Sequence, residues 1–176
     1  RPRPRPDPAT VLTWLEGRAL GQFAPGQHDW VQNPLPASVH DAAEQKCLAE
    51  GIYFEARGEP EDGQAAVAQV ILNRVRNPAY PDTICGVVYQ NERWRNRCQF
   101  SFACDGRPER IRSRKAYETA ERIALDITEG RIWLNEVGDS THYHANYVRP
   151  RWGKRMNRLE AVGAHIFYRT IRGGWS

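Results

Sequence analysis

The sequence predicts an α+β fold in which helices dominate, on three observations. Three segments carry apolar side chains at helical spacing, several shorter apolar pieces fit brief strands, and no internal repeat is visible. The length of 176 residues fits one compact domain, and 40% hydrophobic residues supply its core. No stretch reaches the roughly 18 consecutive apolar residues of a membrane helix, so no membrane span is expected.

The chain is expected to divide near residue 41. Residues 1–8 alternate Arg with Pro and predict an extended arm. Thr10 is a suitable cap for a short helix over 10–20, and residues 22–36, with four Gly or Pro, predict a loop. Residues 1–40 are therefore expected to form an arm, a short helix and a linker, followed by a compact domain over 41–176.

Within that domain, helices are predicted over 44–57, where Gly58 supplies the stop, and over 62–77. A third helix begins after the capping residue Ser113 and runs through residue 129. The alternation of polar and apolar residues over 99–103 predicts a strand, followed by a tight turn at Asp105-Gly106. Further short apolar pieces lie at 83–89, which fits either a strand or a helical turn, and at 133–134, 141–148 and 166–168.

The charges exclude little by themselves. Lys and Arg total 25 against 21 Asp and Glu, a net charge of +4 that weakens a nucleic-acid-binding function without excluding it. All but three of the basic residues are Arg, whose planar guanidinium suits carboxylate and phosphate partners alike.

Four cysteines and no C-x-x-C pair predict two disulfides. Of three possible connectivities we favour Cys47 with Cys85 and Cys98 with Cys104. Disulfides persist in oxidising compartments, so we expect the protein in a periplasm, the cell envelope or the extracellular space, after export or release. Four buried free thiols in a cytosolic protein are the alternative. His142 and His144 lack a third ligand at suitable spacing, and no metal or cofactor is expected.

One carboxylate lies on the apolar face of the first domain helix. Successive residues advance by about 100°, which places Glu55 in the middle of the apolar stripe and Glu50 toward solvent. Because burial disfavours the ionised carboxylate, Glu55 is expected to have a raised pKa and to serve as a general acid. An ion pair with one of the many arginines is the alternative.

Two polar and aromatic segments suit a saccharide groove, since sugars offer hydroxyls for hydrogen bonds and flat C–H faces for rings. About half of these side chains are expected to be packing residues instead. The candidates for sugar binding are Gln99, Phe100, Ser101, Tyr143, His144, Asn146, Tyr147 and Trp152.

Four blocks occur in a specific order: a run containing EARGEP and the helix end ILNR, then CQFSFACDG, HYHANYVRPRW and VGAHIFYR. Together they resemble the cell-wall hydrolase family typified by the spore-cortex-lytic enzymes of the SleB and CwlJ type, over about residues 46–169. The resemblance implies a lysozyme-like domain, related to lytic transglycosylases, with a small antiparallel sheet flanking a glycan groove. It implies that residues 41–176 form the catalytic domain.

The resemblance also implies a substrate, the peptidoglycan glycan strand, cut between N-acetylmuramic acid and N-acetylglucosamine. We expect the protein to be a monomer. The family's acid corresponds to Glu55, and Ser101 occupies the place of a small hydroxyl residue near it. A lytic transglycosylase needs only that one carboxylate. Hydrolysis with a second carboxylate, Asp105, Glu59 or Asp62, is the alternative chemistry. A module that binds nucleic acid or cell wall without catalysis is the other alternative, although no nucleic-acid partner is expected.

Overall fold

The computed structural model of the chain describes residues 26–93 and 98–175. The predicted arm and the helix over 10–20 lie outside these residues. The described part has four α-helices: α1 (Ala42–Ala56), α2 (Glu61–Arg76), α3 (Ile84–Val88) and α4 (Arg114–Thr128). Its strands are β1 (His142–Ala145), β2 (Asn157–Val162) and β3 (His165–Arg169), with short 3-10 helices at Asp29–Gln32, Ala37–His40, Ser101–Cys104 and Arg151–Arg155. Within the same two stretches, no helix has the length and hydropathy needed to cross a bilayer.

The predicted fold class, mainly helical α+β with a small antiparallel sheet, is confirmed. The three long helices begin and end within two residues of their predicted bounds. The predicted cap at Ser113 is present, since its Oγ accepts a hydrogen bond from the backbone N–H of Ala116 at 3.2 Å. The ambiguous segment 83–89 is helical, with Thr83 as its cap.

Helix α2 is the central element and is buried along almost its whole length. The main hydrophobic core fills the space between α1, α2, α3 and α4. A smaller cluster, formed by Ala66, Val70, Val137 and Phe167, joins α2 to the sheet. Gly51 permits the close approach of α1 to its neighbours, because a Cβ there would lie 3.0 Å from Ile71 Cδ1. The sheet and the helices therefore meet at α2.

The sheet is antiparallel with the strand order β1-β3-β2. Gly163, at φ 57°, provides the turn between β2 and β3, and the Glu59 carboxylate accepts the backbone N–H of the next residue, Ala164, at 3.0 Å. The sequence did not predict β2. It is an edge strand in which only Leu159 and Val162 are half-buried, so it lacks the alternation that marks a strand.

The predicted strand over 99–103 is wrong. Cys98 and Cys104 form a disulfide with their Cα atoms 6.0 Å apart, whereas six extended residues span roughly 20 Å. The chain therefore turns back on itself in the 3-10 helix Ser101–Cys104. The second disulfide joins Cys47 to Cys85, so the favoured connectivity is confirmed.

Residues 26–40, which the sequence assigns to a linker, pack against the domain. Val31 and Val39 are buried, and the backbone N–H of His28 donates to Asp139 Oδ2 at 2.7 Å. The Asn33 amide donates to the backbone oxygen of Arg76 at 3.0 Å. The described part of this segment is thus attached to the domain surface, while the division of the chain into an arm and a catalytic domain stays a prediction.

Candidate active site

A cleft of about 440 Å³ lies where the end of α1, the disulfide-closed segment and β1 meet. We call it the Glu55 cleft. Six of the eight predicted sugar-binding residues line it: Gln99, Phe100, Ser101, Tyr143, His144 and Tyr147. Its other lining residues are Phe54, Glu55, Arg74, Ala145, Val148 and His165. Residues that are far apart in the chain thus converge around the predicted acid.

Glu55 lies in the last turn of α1, half-buried, with one defined partner. The Tyr143 hydroxyl donates to Glu55 Oε2 at 2.9 Å. Burial raises the pKa of Glu55, and the Tyr143 hydrogen bond and the positive charge of Arg74 offset only part of that rise. Among the described residues, no Lys, Arg or His nitrogen lies within 4.0 Å of the Glu55 carboxylate. None of the described arginines therefore forms the ion pair of the alternative.

Glu50 differs from its prediction, because it too is partly buried. Its side chain is 17% exposed, accepts a hydrogen bond from the Tyr89 hydroxyl and pairs with Lys46 at 3.5 Å. The helical wheel treated the far side of α1 as solvent, whereas Tyr89, which follows α3, covers it. Glu50 does not line the Glu55 cleft.

Tyr143 is held by the sheet. It pairs with Phe167 across β1 and β3, and its ring contacts His165 and Phe167 with centroid distances of 4.9 and 5.6 Å. Burial and the adjacent Glu55 raise the pKa of Tyr143 well above its ordinary value. The hydroxyl therefore stays protonated and remains a donor to Glu55.

Arg74 is the main site residue that the sequence analysis missed. It is 2% exposed, and its Nε and Nη2 donate to the backbone oxygen of Thr141 at 2.9 and 2.6 Å. The Gln99 side-chain oxygen, in the amide orientation that satisfies both groups, accepts from Nη1 at 2.9 Å and Nη2 at 3.0 Å. The guanidinium also lies over the ring of Phe100 at 5.4 Å. The available signal was the same as for Glu55, a charged residue within an apolar helical stripe.

A row of polar side chains on α2 anchors the loop that leads into β1. The Gln69 amide donates to the backbone oxygens of Leu134 and Gly138, both at 3.0 Å. The Asn73 amide donates to the oxygens of Gly138 and Ser140 at 2.8 and 2.9 Å. Arg74 continues this row at Thr141, so the central helix sets the position of Tyr143 two residues later.

His144 faces the cleft with both ring nitrogens engaged. Its Nε2 lies 2.8 Å from the Tyr168 hydroxyl and its Nδ1 lies 2.8 Å from the backbone oxygen of Ala145. Trp152 stands behind it, with its ring centroid 5.6 Å from that of His144. Trp152 and Asn146, although predicted to bind sugar, do not line the cleft. Trp152 packs against the rings of His142, His144 and Tyr168, and Asn146 is exposed.

His165 is a second cleft residue that the sequence did not suggest. It is 9% exposed, and burial lowers its pKa although the Glu59 carboxylate lies 3.7 Å from its Nδ1. The sequence gives little indication that His165 lies at a functional site, because VGAHIFYR is typical of an ordinary strand. Burial likewise lowers the pKa of His142 to about 4, which keeps both histidines neutral.

None of the three carboxylates considered for hydrolysis lines the Glu55 cleft. Glu59 is committed to the β2–β3 turn through Ala164, and Asp62 accepts the backbone N–H of Gly63. Asp105 accepts the backbone N–H of Arg107 and lines a different cleft. Among the described residues that line the Glu55 cleft, Glu55 is therefore the only carboxylate. Over the residues described, no group of three or more His, Cys, Asp or Glu is arranged to hold a metal ion.

The sequence matches a known protein family over most of the helices and strands described above. A profile of the family described as Cell Wall Hydrolase covers residues 58–168, which is more than half of the chain. The chain belongs to the cell wall hydrolase family. The matched range includes α2, the disulfide-closed segment, β1 and most of β3. It begins three residues after Glu55, so the role of Glu55 rests on the geometry of the cleft.

Similar proteins support this membership. A spore cortex-lytic enzyme of Halalkalibacterium halodurans is 34% identical over 134 residues, 76% of this chain and 36% of the relative. A spore cortex-lytic enzyme of Bacillus cereus is 32% identical over 152 residues, 86% of this chain and 52% of the relative. The chain therefore spans between a third and about half of the length of these relatives.

Two solved catalytic domains share the fold. The catalytic domain of the Bacillus cereus SleB protein superimposes with a TM-score of 0.55 at 26% identity, covering 86% of this chain and 98% of that domain. The catalytic domain of the germination-specific lytic transglycosylase SleB from Bacillus anthracis gives a TM-score of 0.55 at 27% identity, covering 84% of this chain and all of that domain. The lysozyme-like fold implied by the sequence blocks is confirmed by this similarity.

Proposed function

We propose that this cell wall hydrolase cleaves the glycan strand of peptidoglycan between N-acetylmuramic acid and N-acetylglucosamine by lytic transglycosylation. The observation that carries the proposal is a cleft with one protonatable carboxylate, Glu55, oriented by a neutral tyrosine. Glycosidases that use water usually need two carboxylates flanking the bond, and the described residues that line this cleft supply one. The similar SleB domain of Bacillus anthracis is itself described as a lytic transglycosylase.

In the first step Glu55 acts as the general acid. Its raised pKa favours the protonated form, and because Tyr143 donates to Oε2, Oε1 is the oxygen free to carry the proton. The proton passes to the glycosidic oxygen, and the bond from that oxygen to the muramoyl C1 breaks. The oxygen keeps the bonding electrons and leaves as the hydroxyl of N-acetylglucosamine, while positive charge develops at C1.

In the second step the Glu55 carboxylate acts as the base. It accepts the proton of the muramoyl C6 hydroxyl, whose oxygen forms a bond to C1 and gives a 1,6-anhydro end. Glu55 is protonated again, and no water is consumed. One carboxylate thus serves both half-reactions.

Tyr143 and Arg74 make that alternation possible. Both favour the ionised carboxylate, while burial favours the protonated form. Arg74 is held by Thr141 and Gln99 and makes no ion pair with Glu55, so the carboxylate keeps enough basicity to recover its proton. A direct salt bridge would instead hold Glu55 ionised.

The remaining cleft residues are proposed to bind the sugars. Gln99 and Ser101 offer hydrogen-bonding groups at the cleft, while His144, whose ring nitrogens are both engaged, contributes to the cleft wall. Tyr147 is 84% exposed, and its ring is available to stack on a sugar face. Trp152 supports His144 from behind instead of contacting the glycan.

We further propose that the enzyme acts in the cell envelope or outside the cell. The two disulfides require an oxidising compartment, and a peptidoglycan substrate lies there. Export, the monomeric state and the lack of a nucleic-acid partner stay predictions.

Mass spectrometry of digested peptidoglycan tests the proposal. We expect anhydro-muropeptides from the wild type and none from Glu55→Gln, which keeps the size of the side chain but removes the acid. Glu59→Gln serves as the matched control and should retain the products, because Glu59 lies outside the cleft. Reducing ends in place of anhydro ends would refute transglycosylation, and full activity of Glu55→Gln would refute the assignment of Glu55.

A further inference from the structure

We infer that a second cleft beside the Glu55 cleft binds carboxylates of the peptide that the muramoyl sugar carries. This inference rests on the proposed function and adds a binding site to it. The second cleft, of about 230 Å³, is lined by four arginines, Arg57, Arg107, Arg110 and Arg112. We call it the arginine cleft.

The two clefts are neighbours. Phe54, the residue before Glu55, lines both of them. Its ring stacks on that of Phe102 with centroids 4.9 Å apart, and Phe102 also lines the arginine cleft. The arginine cleft therefore lies directly beside the cleft that holds Glu55.

The arginines of this cleft lack acidic partners. No carboxylate oxygen of the described residues lies within 4.0 Å of their guanidinium nitrogens. On α4 and just after it, by contrast, Arg114, Arg122 and Arg131 each pair with a carboxylate. The cleft also contains Asp105 and Glu109, so four cationic groups exceed two anionic ones by two. An anionic ligand would supply the two negative charges by which the cleft's carboxylates fall short of its arginines.

The segment that carries three of these arginines is attached to α1. The buried Tyr53 hydroxyl accepts hydrogen bonds from the backbone N–H groups of Arg112 and Ser113 at 3.0 and 3.2 Å. Arg57 lies over the ring of the same Tyr53, with its Cζ 5.1 Å from the centroid. Both sides of the cleft are thus held by one core residue.

The composition of the arginine cleft favours a peptide over a phosphate polymer. Guanidinium groups bind carboxylate and phosphate equally well by geometry. The stacked Phe rings, however, suit a ligand with apolar side chains as well as charge. The lactyl group of the muramoyl sugar carries such a peptide, with free carboxylates, beside the ring whose C1 faces Glu55.

The test compares Arg107→Gln/Arg110→Gln with the charge-matched control Arg155→Gln/Arg158→Gln, whose residues are exposed and line neither cleft. Cleavage is measured on intact peptidoglycan, on glycan strands freed of peptide by an amidase, and on peptidoglycan freed of phosphate polymers by hydrofluoric acid. We expect the first variant to raise KM by about twofold to thirtyfold on intact and phosphate-free peptidoglycan, because it removes two exposed charged contacts, which together contribute roughly 0.4–2 kcal/mol. On peptide-free strands its KM should equal that of the wild type, as should the KM of the control on all substrates.

An equal rise in KM on peptide-free strands, or a rise that disappears when phosphate polymers are removed, overturns the peptide site while leaving the cleavage reaction intact. Binding is measured separately from cleavage by calorimetry in the Glu55→Gln background, with the disaccharide tripeptide and the same disaccharide without peptide. The peptide should strengthen binding, and Arg107→Gln/Arg110→Gln should abolish that gain. If the peptide has no effect on affinity, the inference is wrong whether or not the enzyme forms anhydro products. Failure of the proposed function has a different signature, namely no anhydro products from any substrate.

Discussion

Replacement of Tyr143 by Phe tests the proposed control of the catalytic proton. The change removes the hydroxyl that donates to Glu55 Oε2 and keeps the ring that packs on His165 and Phe167. In the wild type this bond lowers the pKa of Glu55 against the larger effect of burial. Without it, the pKa of Glu55 should rise further.

The magnitude follows from the difference between the two hydrogen bonds that are lost. A bond to an ionised acceptor is worth about 1.5–3 kcal/mol and one to a neutral acceptor about 0.5–1.5 kcal/mol, a difference of about 1–1.5 kcal/mol. Loss of this difference should raise the pKa of Glu55 further. The general acid is active when protonated, so kcat/KM falls as pH rises through this pKa. The descending limb of the pH profile should therefore move to higher pH.

The assay is the initial rate of release of anhydro-muropeptides as a function of pH. On the acid side Glu55 is protonated in both proteins, and the rate should fall by about fivefold to twelvefold. This is the equivalent of the difference of about 1–1.5 kcal/mol between a bond to the ionising carboxylate of the transition state and a bond to the neutral acid. Tyr117→Phe, on α4 and outside the Glu55 cleft, is the control and should leave the profile unchanged. A descending limb that stays in place, or that moves to lower pH, would refute the assignment of Tyr143 as the donor to the catalytic carboxylate.

Four further predictions follow from the same contacts. Burial raises the pKa of Glu55, so ionisation destabilises the folded state; Glu55→Gln should raise the free energy of unfolding over wild type at pH 8 but not at pH 4, measured with urea. Arg74→Lys keeps the charge but loses the fork to Thr141 and Gln99, and should cost about 2–3 kcal/mol of stability. Cys98→Ala/Cys104→Ala opens a loop with a sequence separation of 6, and should cost about 2 kcal/mol by thermal unfolding and raise KM. Glu59→Gln should cost about 1 kcal/mol and leave the pH profile of cleavage unchanged.

Each of these predictions has a contradicting result. Equal stabilities of Glu55→Gln and wild type at both pH values would show that burial does not raise the pKa of Glu55. An Arg74→Lys protein as stable as the wild type would show that the fork is replaceable. An unchanged KM without the 98–104 disulfide would show that Gln99 and Ser101, which lie between its two cysteines, do not contribute to glycan binding. A shifted pH profile in Glu59→Gln would reopen a two-carboxylate mechanism.

The sequence was informative wherever the decisive interactions are local. Helical periodicity and flanking caps predicted α1, α2 and α4 within two residues, because the pattern repeats every turn and each end has its own signal. The same local reasoning placed Glu55 on an apolar face and predicted its raised pKa. It failed for Glu50, because the side chain that covers Glu50 is Tyr89, which lies directly after a different helix, α3.

Short elements were less predictable. Residues 99–103 have the alternation of polar and apolar residues that is typical of a strand. The disulfide between Cys98 and Cys104, at a sequence separation of 6, prevents an extended conformation because it brings the two ends of this segment together. The edge strand β2 has almost no buried face, so most of its positions do not require apolar residues. Its composition is therefore similar to that of a charged loop. In both cases the conformation depends on partners elsewhere in the chain.

The sequence by itself determined the helical framework and the position of Glu55 on an apolar helix face, and it favoured one of three cysteine pairings. Only the tertiary structure decided what surrounds Glu55: Tyr143, 88 residues away, as its hydrogen-bond donor, Arg74 as a buried cation held by Thr141 and Gln99, and Glu59 at the β2–β3 turn outside the Glu55 cleft. The physical reason is that a pKa and a hydrogen bond depend on distance in space. Local periodicity shows which side of a helix is buried, and packing between distant segments determines which group lies opposite.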